Sequence, residues 1–224
     1  MGMQITVDEG TADRPPIEVT LTLGSNDPLR AKAFSSLRQL KWLKRVSLYG
    51  WGIDDLFLES VQTMPRLEAL VLGDTYVGDE GLRRISRITT LKRLSIMENS
   101  EITDCGVRRL AKLVNLDELV ISDTSKVTGA SLIATRRMPK LKTLGLSWSR
   151  VSDEGVKAIG SHSSLECLVL TGSLVGDEVA EALQSMPKLR EVDLIDTGFT
   201  DRGAAALRRA RPEMKLEYKR GSRD

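Results

Sequence analysis

The chain has 224 residues, of which 41% are hydrophobic and 29% charged, and its 33 basic and 31 acidic side chains leave a net charge of +2. So small an excess argues against the strongly basic surface of a nucleic-acid binder, and the sequence has no apolar run of the roughly 18 residues that a membrane-spanning helix needs.

In chain order, residues 1–16, ending in Arg14, Pro15 and Pro16, read as a flexible lead or a partial N-terminal cap. Gly2 and Thr6 fit the permissive N-myristoylation pattern, although a cloning remnant explains Met1 and Gly2 more simply. The phrase Leu-x-x-(Leu/Val)-x-(Leu/Ile) then opens at Leu43, Leu67, Leu91, Leu116, Leu141, Leu165 and Leu189. Weaker copies, at Leu21 with Leu23 and at Leu216 with Tyr218, extend the array over roughly residues 18–218. A fixed period of this length implies one elongated repeat domain, residues 17–220, followed by a tail, 221–224.

Within each copy the fourth and sixth residues, such as Leu70 with Leu72 or Leu144 with Leu146, alternate with variable neighbours. That is the period of a short strand with one buried face. A few residues on come Asp79, Asp104, Asp153, Asp177 and Asp201, each read as an N-cap. Apolar residues then recur at helical spacing, as in Leu82 with Ile85 and Val107 with Leu110. One strand–turn–helix unit cannot bury its apolar side alone, so the units must stack. Nine strands at about 4.8 Å each give a parallel sheet close to 40 Å long. Helices are wider than strands, which places the sheet on the concave side of an arc and the helices on the convex side. The extra residue in the stretches Glu98–Thr103 and Asp123–Thr128 reads as a small bulge in the turn.

Set side by side, copies such as LEALVLGDTYVGDEGL and LKTLGLSWSRVSDEGV resemble the leucine-rich repeat family. With Thr, Ser or Asn at the ninth position, they look like its ribonuclease-inhibitor and F-box-adaptor branch. They are still more similar to uncharacterised bacterial repeats of consensus LxxLxLxxTxVTDxGLxxL. The resemblance implies an α/β leucine-rich repeat solenoid, a scaffold whose members bind unrelated things.

Catalytic chemistry has little to stand on. His162 is the only histidine, and no nucleophile elbow, phosphate-cradling loop or metal-spaced ligand cluster is present, so no enzyme activity, cofactor or metal is expected. Cys105 reads as an exposed variable position at a helix start, where the helix dipole could lower a thiol pKa. Cys167 falls on the free face of a strand. Two unpaired cysteines and the lack of an Asn-x-Ser/Thr site favour a cytoplasmic location.

Function is therefore expected on the outward strand positions, where a rigid repeat scaffold offers rows of side chains to a protein partner. The candidate contacts in the third positions are Arg45, Arg93, Glu118, Cys167 and Glu191, and in the fifth Val71, Val120, Val169 and Asp193. The seventh positions add Tyr49, Met97 and Ile195, and the following turn adds Trp51, Trp148 and an acidic column of Asp74, Glu98 and Asp123. Each has a structural alternative. Valine suits strands by propensity, Trp51 could cover the thin first repeats, and the carboxylates could bond loop amides. Arginine pairs at 83–84, 108–109, 136–137 and 208–209 suggest a convex basic stripe, for which a solvated face ranks above binding to nucleic acid or anionic membrane. Residues Met214–Arg220 show no evident cap, which leaves assembly through the solenoid end as the alternative to a monomer or weak homo-oligomer. Lys215, Lys219 and Arg220 count against strand pairing there.

Overall fold

The computed structural model describes residues 4–7, 18–24 and 28–218. Ten strands form one open sheet in chain order: β1 (Gln4–Val7), β2 (Glu18–Thr22), β3 (Arg45–Tyr49), β4 (Ala69–Gly73), β5 (Arg93–Met97), β6 (Glu118–Ser122), β7 (Thr143–Gly145), β8 (Cys167–Val169), β9 (Glu191–Asp193) and β10 (Lys215–Glu217). From β2 onward every pairing is parallel, and β1 lies antiparallel to β2. The remainder of the lead, including Gly2, and the stretch from Lys219 to the end lie outside the described residues.

The first repeat differs from the expected register. Val19 and Leu21, not Leu21 and Leu23, stand beside Val46 and Leu48. A slip of two residues keeps the same side chains inward, so alternation alone could not distinguish the two registers. Elsewhere the rows fall as the repeat phrase requires, Leu70 beside Leu94 and Leu119 beside Leu144.

One face of the sheet is covered by α1 (Arg30–Leu37), α2 (Glu59–Gln62), α3 (Asp79–Ile85), α4 (Asp104–Arg109), a 3₁₀ helix (Leu132–Arg137), α5 (Asp153–Ile159), α6 (Val179–Gln184) and α7 (Asp201–Ala210). Between the two layers lies a single core of stacked columns. The opening leucines from Leu43 to Leu189 are fully buried, as are Leu82, Ile85, Val107 and Leu110 on the helices. One column runs Met64, Ile88, Leu113, Met138, His162 and Met186, so the only histidine occupies a core position. Its Nε2 donates to the Thr135 carbonyl at 3.0 Å, and its Nδ1 accepts from the Ser164 amide at 3.4 Å. A second proton would meet that amide donor, and burial, together with the nearby Arg136, lowers the His162 pKa below 6.5.

The aspartates expected as N-caps do something else. Asp79, Asp104, Asp153 and Asp201 are the first residues of their helices, and the caps are Gly78, Thr103, Ser152 and Thr200. The carboxylates reach forward instead. Asp55 accepts from the Gly78 amide, Asp79 from the amide and hydroxyl of Thr103, and Asp177 from the same groups of Thr200, all at 2.7–2.8 Å. Asp104 accepts from Thr128 and Ser131 in the same way. Each aspartate therefore fastens its repeat to the next one. Burial works against ionisation of Asp104 and Asp177, yet these hydrogen bonds hold both pKa values below the usual 3.8. The ladder breaks at Gly129, which replaces the aspartate where its backbone (φ 98°) meets Gly155 closely, and there a 3₁₀ helix takes the place of the α-helix.

At the C-terminal end β10 is the last strand of the sheet, and side chains tie the last repeat back to the one before it. Arg211 continues the His162 column and gives its guanidinium hydrogens to the carbonyls of Gln184, Met186 and Leu189. Tyr218 sets its ring edge-on to Phe199 at 5.9 Å, its hydroxyl donates to Asp201 at 3.1 Å, and Arg208 lies over its face.

A pH dependence follows from His162. Its folded-state pKa is depressed, so its stabilising contribution is complete above the unfolded value of about 6.5 and is lost as pH falls towards the folded value. His162→Met restores the apolar column. The stability gap between variant and wild type, measured by urea titration, is expected to widen in the variant's favour below about pH 6.5; a gap independent of pH contradicts this account.

Candidate functional site

The face of the sheet opposite the helices is uncovered, and strand register arranges its side chains in rows. Arg45, Ala69, Arg93, Glu118, Thr143, Cys167, Glu191 and Lys215 form the first row. Ser47, Val71, Ser95, Val120, Gly145, Val169 and Asp193 form the second. Tyr49, Gly73, Met97 and Ser122 form the third, and Ile195 follows β9 at the corresponding position. The three valines sit on alternate strands with Ser95 and Gly145 between them, so they make separate apolar steps, not a continuous patch. Val120 leans over Gly145, its Cγ2 lying 3.3 Å from where a Cβ would stand.

Near the first repeats, small Ala69 leaves a basin of about 310 Å³ between Arg45 and Arg93, bordered by Val71 and Glu118. Arg45 donates to Glu18 at 2.8 Å. At the far end Lys215 donates to Glu191 at 2.5 Å. Cys167 lies between these ends, half-buried, and burial and then Glu191 raise its thiol pKa. The thiol is thus kept protonated, a poor nucleophile. Cys105 is exposed at the start of α4. Among the described residues, no group of three or more His, Cys, Asp or Glu could hold a metal ion, and no helix is long and apolar enough to cross a membrane.

Where the strands end, the chain turns sharply, and the eighth residue of each repeat adopts left-handed backbone: Gly50, Asp74, Glu98, Asp123, Trp148, Gly172 and Asp196 have φ between 51° and 92°. This accounts for much of the acidic column in local terms. Asp tolerates that conformation better than most residues and glycine occupies it freely. Asp74 has a further role, accepting from Trp51 Nε1 at 2.5 Å. Trp148 is the anomaly. A bulky residue at φ 53° is strained by roughly 1–3 kcal/mol, and its ring lies across the backbone of Gly172, where a Cβ would come within 2.3 Å of it. Tyr49 covers Gly73 in the same manner.

Trp51 and Trp148 are each 54% exposed on this rim, four strand spacings apart, or about 19 Å. Two neighbours escaped the sequence reading: Tyr76, 54% exposed with its ring 6.0 Å from Trp51, and Leu174, 61% exposed one repeat beyond Trp148. Both occupy the tenth position, which bridges to the preceding repeat where no residue is inserted. Their signal was the lack of the insertion that puts Ser100 and Ser125 in the turn instead. On the helical face, Arg83 pairs with Glu80, and Arg84 with Glu59 and Glu80, which neutralises part of the arginine stripe.

A model for the leucine-rich repeat matches residues 137–160 and 185–207. Protein NLRC5 of Mus musculus is 32% identical over 81 residues, which are 33% of this chain and 4% of NLRC5, so the chain spans a small part of that relative. Two internalins of Listeria monocytogenes have the same fold, each 20% identical in sequence. For internalin C2 the TM-score is 0.60 with 86% of this chain and 93% of the internalin covered. For inlF it is 0.58, with 84% and 57% covered.

The rim geometry makes opposite demands at two positions. Trp148→Gly relieves the left-handed strain and forfeits ring contact, for a net stability change within about 1 kcal/mol. Gly50→Ala drives a methyl to 2.3 Å from the Leu23 carbonyl oxygen and is expected to cost more than about 2 kcal/mol. Chemical denaturation of both variants checks this; a large loss from Trp148→Gly would make the ring part of the core.

Proposed function

The chain belongs to the leucine-rich repeat family, and from that premise we propose that it is a non-catalytic protein-interaction module, holding one partner against its free sheet face and aromatic rim. The observation that carries this reading is Trp148, a large ring kept 54% exposed on strained backbone beside a face that no other element covers. Tryptophan and tyrosine anchor interfaces because they bury much area for little lost freedom. Trp51, Tyr76, Tyr49 and Met97 extend the same surface, while Val71, Val120, Val169 and Ile195 supply apolar steps within it. Arg45, Arg93, Glu118, Glu191, Asp193 and the rim carboxylates Asp74, Glu98 and Asp123 give orientation by charge, and Cys167 is a small filler among them.

An adaptor or regulator in the cytoplasm fits this arrangement, and the free state of Cys105 and Cys167 suits a reducing compartment. A monomer is favoured over assembly through the C-terminal end, because the exposed Lys215 places charge on the outer strand β10.

Affinity capture from the native lysate, read by mass spectrometry, compares wild type with a Val120→Glu, Trp148→Gly double variant of matched melting temperature. A partner kept by the first and lost by the second is the expected result. Identical profiles would exclude the free face as the binding surface.

A further inference from the structure

A groove of about 920 Å³ crosses the array at the opposite rim, where the strands begin, reaching from Lys44 to Lys188. The second residue of each repeat forms a column there in which charge alternates without a break: Lys44, Lys92, Lys142 and Arg190 take turns with Glu68, Asp117 and Glu166. Main-chain bonds hold the column at strand spacing, since the Lys44 carbonyl accepts from the amides of Glu68 and Ala69, and the pattern repeats at Glu68, Lys92, Asp117, Lys142 and Glu166. Lys92 pairs with Glu68 at 3.0 Å and Lys142 with Glu166 at 3.4 Å, and in each pair the cation projects further into water, 53% against 37% and 61% against 41% exposed. The residues just ahead of the column add Arg66, Lys140 and Lys188, all exposed, and no carboxylate. Among the described residues Arg66 and Lys188 make no ion pair, and Lys140 donates to Asn115. The hydrogen bond from Lys92, followed by the charges of Lys92, Lys44 and Arg93, lowers the pKa of Glu68, as expected where cations are in excess.

We propose that this groove binds an extended acidic segment of a protein, laid along the array with a carboxylate at every third residue. Cations in the column recur at every second repeat, about 9.6 Å, and three residues of extended chain span about 10 Å. From Lys44 to Arg190 is six strand spacings, about 29 Å, which ten extended residues cover. Glu68, Asp117 and Glu166 face the residues in between and disfavour a uniformly charged chain, while Pro65 and Pro139 offer apolar contact. Among the described residues no aromatic ring lines the groove for bases to stack on, which sets a protein segment above single-stranded RNA.

Fluorescence anisotropy on the full chain tests this with a labelled ten-residue peptide bearing glutamate at the first, fourth, seventh and tenth positions and serine or alanine between. The spaced peptide is expected to bind about fivefold more tightly than one of identical composition with its glutamates in a block, and to weaken steeply with salt. Arg66→Glu with Lys140→Glu should weaken it at least about tenfold, with the milder Arg66→Gln, Lys140→Gln pair in the same direction. The Val120→Glu, Trp148→Gly variant should bind it as wild type does, which separates this groove from the free face. No binding, equal binding of the two peptides, binding undiminished in both charge variants, or binding of an oligouridine alone would overturn the proposal.

Discussion

Every repeat of this chain is open on two sides, and the structure depends on each side being covered by a neighbour. The columns from Leu43 to Leu189, with the strand pairs and helix residues beside them, are buried only because units stack in register. A single unit would expose those side chains, at a cost of about 1.5–3 kcal/mol for each large apolar group left in water. Stability is therefore a property of the contacts between repeats, as expected for a solenoid. Polar chemistry follows the same rule: the aspartate ladder, the carbonyls that each accept two amides, and the alternating charges at the second position all join one repeat to the next.

Rigidity is what suits this stacking to the proposed binding surface. Strand register fixes the rows of the free face, and the left-handed turn at each eighth position fixes where the rim points. The same turn explains two things at once. It selects glycine or a small acid at most copies, and it makes Trp148 conspicuous, because that ring is the one bulky side chain in the column.

Much of this was legible in the sequence because burial imposes a period. Leu144 and Leu146, Leu168 and Leu170, and the rows on the opposite face could be assigned from alternation alone, and all stand where alternation puts them. The first repeat could not, since a slip of two residues leaves Val19, Leu21 and Leu23 all inward. The aspartates were recognised as structural but given the wrong partner, because a capping carboxylate and one that reaches 24 residues ahead carry the same local pattern. Arg211 carries no signal of its role in the sequence, and only the stacked column shows it bonding carbonyls of the preceding repeat. At the candidate site, the exposed tryptophans were visible as rare residues, whereas Tyr76 and Leu174 depend on turn lengths in adjacent repeats.

The central claim is that adjacent repeats are held in one register by a shared apolar column, with no repeat stable by itself. Calorimetric unfolding of Leu144→Asp tests it most directly, because Leu144 is fully buried in the middle of the array with Leu119 and Leu168 on either side. The account predicts that an unpartnered carboxylate there, costing several kcal/mol, lowers the melting temperature steeply and splits or abolishes the single cooperative transition. A melting curve indistinguishable from wild type would contradict the register and, with it, the rows on which the proposed binding surface is built.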